Sequence, residues 1–281
     1  MARITVDYFS SCLMRTTTLE VILPVDDPGE AMATDARTTR GAAGDVAPID
    51  YPAGTGALRT LFLLHGITGN HGDWVSESRI CALAADRRLA VIMPSGYNAF
   101  YLDQPESHNY YGEFVGRELV TVARRMFGLP CRREDTFVGG ISMGGYGALR
   151  CGLRYCETFG GIVAMSAAMV TGDAGSMVSE DGPFFLRRAF LESAFGDLGT
   201  VTGSQKDPAR LAADLVYCDR PRPRVLMACG GADPFCAADR ELAIRLTSTG
   251  LDVTWRETTG GHDWDTWNQM LPDALDWVCG A

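Results

Sequence analysis

The stretch Thr136-Phe137-Val138-Gly139-Gly140-Ile141-Ser142-Met143-Gly144-Gly145-Tyr146-Gly147 decides how the rest of the chain is read. It holds the only G-x-S-x-G of the sequence, from Gly140 to Gly144. Thr136-Phe137-Val138 reads as a buried strand, and residues 146–155, rich in Ala, Leu and Arg, read as a helix. Strand, tight turn and helix form the context in which this loose motif becomes a nucleophile elbow, with the serine at the apex of a strained turn. Gly140 and Gly144 suit a backbone that must pass close to neighbouring elements. The bland alternative is a glycine-rich turn with an idle serine, and the flanking pattern favours catalysis.

Outward from the elbow, short apolar runs alternate with helical stretches. Leu61 to Leu64, Ala90 to Met93, Phe137 to Ile141, Ile162 to Met165 and Val225 to Ala228 read as strands buried on both faces, and Val253 to Arg256 as a last strand. Helices are expected over Glu113 to Phe127, Tyr146 to Tyr155, Ala237 to Ser248 and Thr266 to Val278. That alternation specifies an α/β fold: a mostly parallel sheet with helices on both faces. Ile4 to Phe9 and Thr16 to Leu23 alternate in twos and predict an antiparallel N-terminal edge, closed by Pro24. Residues 26–57 are rich in Ala, Gly, Thr and Asp and read as a long irregular insertion with no assigned chemistry. Residues 166–222 are too long for a simple crossover. Their Phe184-Phe185-Leu186 and Phe190-Leu191 clusters predict small helices capping the site, with a plain surface excursion as the alternative. No repeat or linker divides the chain, so a single domain over 1–281 is expected.

In such a sheet, reactive residues belong in loops at the carboxyl ends of strands. A serine hydroxyl needs a base to take its proton, and the chain has four histidines. His65 ends a buried strand, where an imidazole commonly supports the loop; His71 and His108 sit in polar loops. His262 lies in Thr258-Thr259-Gly260-Gly261-His262-Asp263-Trp264, between the last strand and the last helix, and is the expected base. The base needs an acid to fix its tautomer. Asp233 follows the strand 225–228 and is preferred to Asp239, which falls inside a helix, and to Asp263, which is too close to His262 in sequence. Oxyanion stabilisation needs two backbone N–H groups. Met143 supplies one, and the loop after residue 64 the other, with Ile67 preferred to Gly66 or Thr68. Trp264, Tyr101 and Tyr110 are candidate substrate-binding aromatics, equally suited to packing.

Bulk properties narrow the partners. A formal net charge of −10 argues against nucleic acid and anionic membranes. No apolar stretch approaches the ~20 residues that span a bilayer, and the N-terminus lacks the apolar core of a secretory signal. The nine cysteines form no C-x-x-C pair or zinc-like cluster, so reduced thiols, a cytoplasmic location and no metal site are expected. A small-molecule substrate is the expected partner. A homo-oligomer stays open.

Three blocks together carry a resemblance. His65-Gly66-Ile67-Thr68-Gly69-Asn70-His71-Gly72-Asp73-Trp74, Gly140-Ile141-Ser142-Met143-Gly144-Gly145-Tyr146-Gly147-Ala148 and Gly261-His262-Asp263-Trp264-Asp265-Thr266-Trp267 resemble the esterase D group of α/β-hydrolases. Within it the chain is most similar to tributyrin-esterase-type bacterial carboxylesterases, whose relatives include S-formylglutathione hydrolases and feruloyl and acetyl-xylan esterases. Two departures stand out: the length of 26–57, and Gly231-Ala232-Asp233-Pro234 in place of a G-x-x-D-F-like block. The resemblance implies a serine carboxylesterase for short-chain acyl esters, without a cofactor. Its alternatives are a carbohydrate or cinnamoyl esterase, an S-formylglutathione hydrolase or an acyltransferase with the same triad; a non-catalytic binding module is disfavoured.

Overall fold

A computed structural model of the chain describes residues 1–24, 58–170, 178–179 and 181–280. The insertion expected at 26–57 lies outside them. The main sheet is built from β1 (Ala2–Ser10), β2 (Arg15–Leu23), β3 (Arg59–Leu64) and β4 (Leu89–Pro94). A two-stranded ribbon, β5 (Asp103–Gln104) and β6 (Asn109–Tyr110), precedes the second half of the sheet: β7 (Thr136–Ile141), β8 (Gly161–Met165), β9 (Arg224–Gly230) and β10 (Val253–Thr258). The sheet order is β1-β2-β4-β3-β7-β8-β9-β10. From β4 to β10 the pairs are parallel, while β1–β2 and β2–β4 are antiparallel, with Ala2 opposite Leu23 and Leu19 opposite Pro94. The expected antiparallel edge is present.

The period-2 alternation of the central strands feeds two cores. Phe62, Leu64 and Val138 face one side of the sheet, and Leu61, Leu63 and Phe137 the other. Burial on both faces explains why these strands read as continuous apolar runs. On the second side lie the short helices α1 (Asp73–Glu77) and α2 (Ile80–Asp86), with Trp74 and Ile80 fully buried. The first side carries a helical run that opens as one turn at Tyr111–Glu113, widens into a π turn over Phe114–Glu118 and continues as α3 (Leu119–Phe127). A single helix over 113–127 was expected; the structure divides it, and Gly116 sits in the π turn with Tyr155 packed on it.

Helix α4 (Met143–Arg154) follows β7 directly and is buried along all but its last residue. The segment between β8 and β9 contains the turn Phe184–Leu186, α5 (Arg188–Phe195) and α6 (Pro208–Tyr217). Small helices near 184–191 were expected, whereas α1, α2 and α6 were not. Helix α7 (Cys236–Ser248) follows β9, and α8 (Trp264–Cys279) follows β10. Thus the loops after β3, β7, β8, β9 and β10 all open at the carboxyl edge of one parallel array.

Candidate active site

The elbow forms because β7 runs into α4 with a single residue between them. That residue, Ser142, has φ 53° and ψ −120°. A non-glycine side chain in this region is strained and is held only by surrounding bonds. Those bonds are explicit: the Ser142 N–H donates to Met165 O at 3.0 Å, and its carbonyl accepts from Tyr146 N at 3.1 Å and Ala168 N at 2.9 Å. The flanking glycines are required by space. A Cβ on Gly144 would lie 2.4 Å from Leu64 O, and one on Gly140 would lie 2.5 Å from the Gly144 carbonyl, both backbone atoms.

Asp233 and His262 arrive on two adjacent loops that are locked together. Gly231 N donates to Thr258 O at 2.8 Å, and Ala232 N to Gly260 O at 2.9 Å. Gly260 stands at φ 114°, a conformation L side chains rarely adopt. The result is a continuous line: His262 Nδ1 meets Asp233 Oδ2 at 2.8 Å, and His262 Nε2 meets Ser142 Oγ at 2.9 Å. The Asp233 side chain is fully buried, and its Oδ1 accepts from Phe235 N at 2.9 Å. Burial works to raise its carboxyl pKa, but the bonds from His262 and the Phe235 amide, with the nearby Ser166 hydroxyl, outweigh it and hold the group below the ordinary carboxylate range. The imidazole is fixed edge-to-face between Phe235 and Trp267, each with its ring centre 5.1 Å away.

The other candidates for base and acid are occupied elsewhere. His65 is buried, its Nδ1 donates to Gly66 O at 2.6 Å and its Nε2 accepts from Gly96 N at 2.8 Å. Burial lowers its pKa, which keeps it a neutral strut of the loop. Asp263 caps α8 by accepting from Thr266 N at 2.8 Å. Asp239 is buried in α7 and accepts from Ala167 N at 2.8 Å.

At the expected oxyanion donors, no hydrogen bond among the described residues uses the amides of Ile67 or Met143. Thr68 N, weighed as an alternative donor, is taken by Asn98 Oδ1 at 2.8 Å. A Cβ on Gly66 would lie 3.5 Å from Ser142 Cβ, so the loop after β3 passes directly beside the serine.

Ser142, His262, Ile67 and Met143 share one cavity of about 850 Å³. Its walls are mainly apolar: Phe100, Met169 and Val170, then Phe185 and Leu191 from the segment between β8 and β9, and Leu242 from α7. None of the three expected substrate-binding aromatics lines it, and Tyr101 requires correction. Tyr101 is fully buried, donates its hydroxyl to His65 O at 3.1 Å and fills the space that a Cβ on Gly147 or Gly96 would take. Its loop folds inward, so an aromatic at the right end of the sheet became core. Trp264 packs edge-to-face on Trp74 and Trp267, both with ring centres 5.2 Å away, which places it behind the imidazole's own neighbour. Tyr110 contacts His108 at 5.0 Å in the ribbon. The actual wall residues Ala168, Met169 and Val170 continue the apolar run of β8 past its carboxyl end, a signal that was present in the sequence.

Comparison with known proteins agrees with this geometry. The Esterase family model matches residues 40–278. The chain belongs to this family. It is 38% identical over 278 residues to the acetyl esterase of Caldicellulosiruptor saccharolyticus, covering 99% of this chain and 98% of that protein. Among solved structures it resembles a substrate-bound fluorophosphonate-binding serine hydrolase of Staphylococcus aureus, at 27% identity and TM-score 0.79. An S-formylglutathione hydrolase apoenzyme from the same organism matches at 27% identity and TM-score 0.78. Both alignments cover 99% of this chain and 98% of the other. The esterase is therefore a serine carboxylesterase with the α/β-hydrolase fold.

Proposed function

We propose that this esterase works through Ser142 as nucleophile, His262 as general base and acid, and Asp233 as the carboxylate that orients the imidazole. The hydrogen-bonded line of 2.8 and 2.9 Å from Asp233 through His262 to Ser142 carries this reading. Ser142 Oγ attacks the ester carbonyl as His262 Nε2 takes its proton. The amides of Ile67 and Met143 donate to the oxyanion, where fixed dipoles aimed at developing charge are most effective. Collapse expels the alcohol, which leaves with the proton from His262. Water then attacks the acyl-serine by the same route, with His262 taking its proton and returning it to Oγ. Replacing Ser142 with Ala removes the nucleophile and fits the elbow, so turnover should fall on the order of 10⁴-fold with the fold unchanged. Esterase activity above one-hundredth of wild type in purified S142A would sink the assignment.

The acyl group is short, acetyl to butyryl. The likeness to an acetyl esterase along nearly the full length of both chains supports this, as does a mainly apolar cavity walled in part by Phe185 and Leu191. Each buried methylene adds roughly 0.8 kcal/mol until the chain meets the wall. Nitrophenyl esters from acetate to palmitate test it through kcat/KM; a maximum at eight carbons or more refutes it. The likeness to an S-formylglutathione hydrolase supports a second reading, a thioester substrate, which the same panel resolves if a short acyl thioester outpaces every oxygen ester. The chain acts as one catalytic domain, with Phe185, Leu186 and Leu191 of the segment between β8 and β9 as a cap on the cavity. We place the enzyme in the cytoplasm, a reading supported by nine free thiols. Among the described residues no helix is long and apolar enough to cross a membrane.

A further inference from the structure

The end of β8 and the loop that follows it are bonded to the Ser142 turn and to the elements around it. Met165 O accepts from Ser142 N, and Ala168 N donates to Ser142 O at 2.9 Å, so the strained nucleophile is held from both of its backbone groups. Between these anchors, Ser166 stands at φ 48° and is completely buried. Its N–H donates to Ala228 O at 2.8 Å, and its Oγ accepts from Trp267 Nε1 at 3.1 Å. Trp267 in turn packs on the His262 ring. The remaining inner amide, Ala167 N, donates to Asp239 Oδ2 at 2.8 Å across 72 residues of sequence.

We propose that Asp239 is a positioning residue of the catalytic site, tying α7 to the 165–168 loop and through it fixing Ser142 against His262. The proposal rests on the triad reading above. Asp239 is 1% exposed, and its Oδ1 has no hydrogen-bond partner among the described residues. The ionisable groups that face it are Asp233, Cys229 on β9 and Cys236 on its own helix, none of them a cation. An unpaired buried carboxylate is costly, whereas the neutral acid is tolerated. Burial, reinforced by Asp233, accordingly drives the Asp239 pKa well above the usual carboxylate range. A neutral acid beside Asp233 leaves a single negative charge to pair with His262, and still offers a carbonyl oxygen to Ala167 N–H.

The test compares D239L, which has similar size but no acceptor, with D239N, whose amide oxygen can take the Ala167 bond. Misplacement of a reacting group by about 1 Å costs roughly 10²-fold. D239L should therefore lose about 10²-fold in kcat with KM within about twofold, and its fluorophosphonate labelling should slow in parallel. D239N should stay within about threefold of wild type and keep the position of the acid limb of its pH profile. An ionised Asp239 would instead support the imidazolium, and its removal would shift that limb to lower pH. A folded D239L with near-normal kcat overturns the proposal. So does a D239L that cannot fold beside a normal D239N, which would make Asp239 a packing element only. So, too, does a shifted limb in D239N. If S142A remained active, the triad reading itself would fall; S142A inactive with D239L normal would remove only this inference.

Discussion

Replacing Asp233 with Asn tests the acid of the triad by a change of one atom. Wild-type Asp233 accepts two hydrogen bonds, from His262 Nδ1–H on Oδ2 and from Phe235 N–H on Oδ1. Asparagine offers one acceptor oxygen and one NH₂. If the oxygen stays on Phe235 N–H, the NH₂ donates to Nδ1, the imidazole proton moves to Nε2, and His262 can no longer accept the Ser142 proton. If the amide flips, the useful tautomer survives but its NH₂ faces the Phe235 N–H, leaving buried donors unpaired at a cost of about 1–3 kcal/mol. In either case the charge-assisted bond to the imidazolium is lost, a further ~1.5–3 kcal/mol. The sum, about 2.5–6 kcal/mol, corresponds to a loss of roughly 10²- to 10⁴-fold in kcat. KM should hold, because Asp233 does not line the cavity. Steady-state kinetics on nitrophenyl acetate, with circular dichroism as the check on folding, measures both. A D233N that keeps more than a tenth of wild-type kcat refutes the role of Asp233.

Two stability predictions follow from buried groups. A Cβ on Gly144 would sit 2.4 Å from Leu64 O and 2.6 Å from His65 O, and no side-chain rotation relieves a clash with backbone. G144A should therefore lose about 4 kcal/mol in denaturant unfolding, and a loss below about 1 kcal/mol would show that the elbow is not so tightly packed. Asp239 is the second case. Its folded pKa is raised from 3.8, so the native state holds a proton that the unfolded chain releases as pH rises above that value. Native stability then falls with pH by at most about 1.4 kcal/mol per unit across that window. D239N lacks the term, so its Tm relative to wild type should climb between pH 4 and 7; a constant difference would mean that Asp239 is ionised in the fold.

Much of the site was legible because its chemistry is tied to local chain geometry. G-x-S-x-G between an apolar run and a helix can place Ser142 only at a strand-to-helix turn, and four histidines left His262 by elimination. Asp233 followed from its position after β9, although its G-A-D-P setting departs from the family block. What escaped was whatever depends on which way a loop or helix faces. Tyr101 and Phe100 are adjacent, yet one is a strut under His65 and the other a cavity wall. Helix α7 was expected, but not that Ala238 and Leu242 line the cavity while Asp239, one residue on, points into the core beside Ala167.

The sequence by itself determined the strands of the main sheet, the strained serine turn and the candidate residues for base and acid. These are set by side-chain period and by residue types that few backbone conformations tolerate. Only the tertiary structure decided that Asp233, His262 and Ser142 meet within 2.8–2.9 Å, that Asp239 grips the 165–168 loop, and that Phe185 and Leu191 join Phe100 and Leu242 in the cavity wall. Such contacts join positions up to 120 residues apart, and their energy exists only once the sheet has brought the loops to one edge.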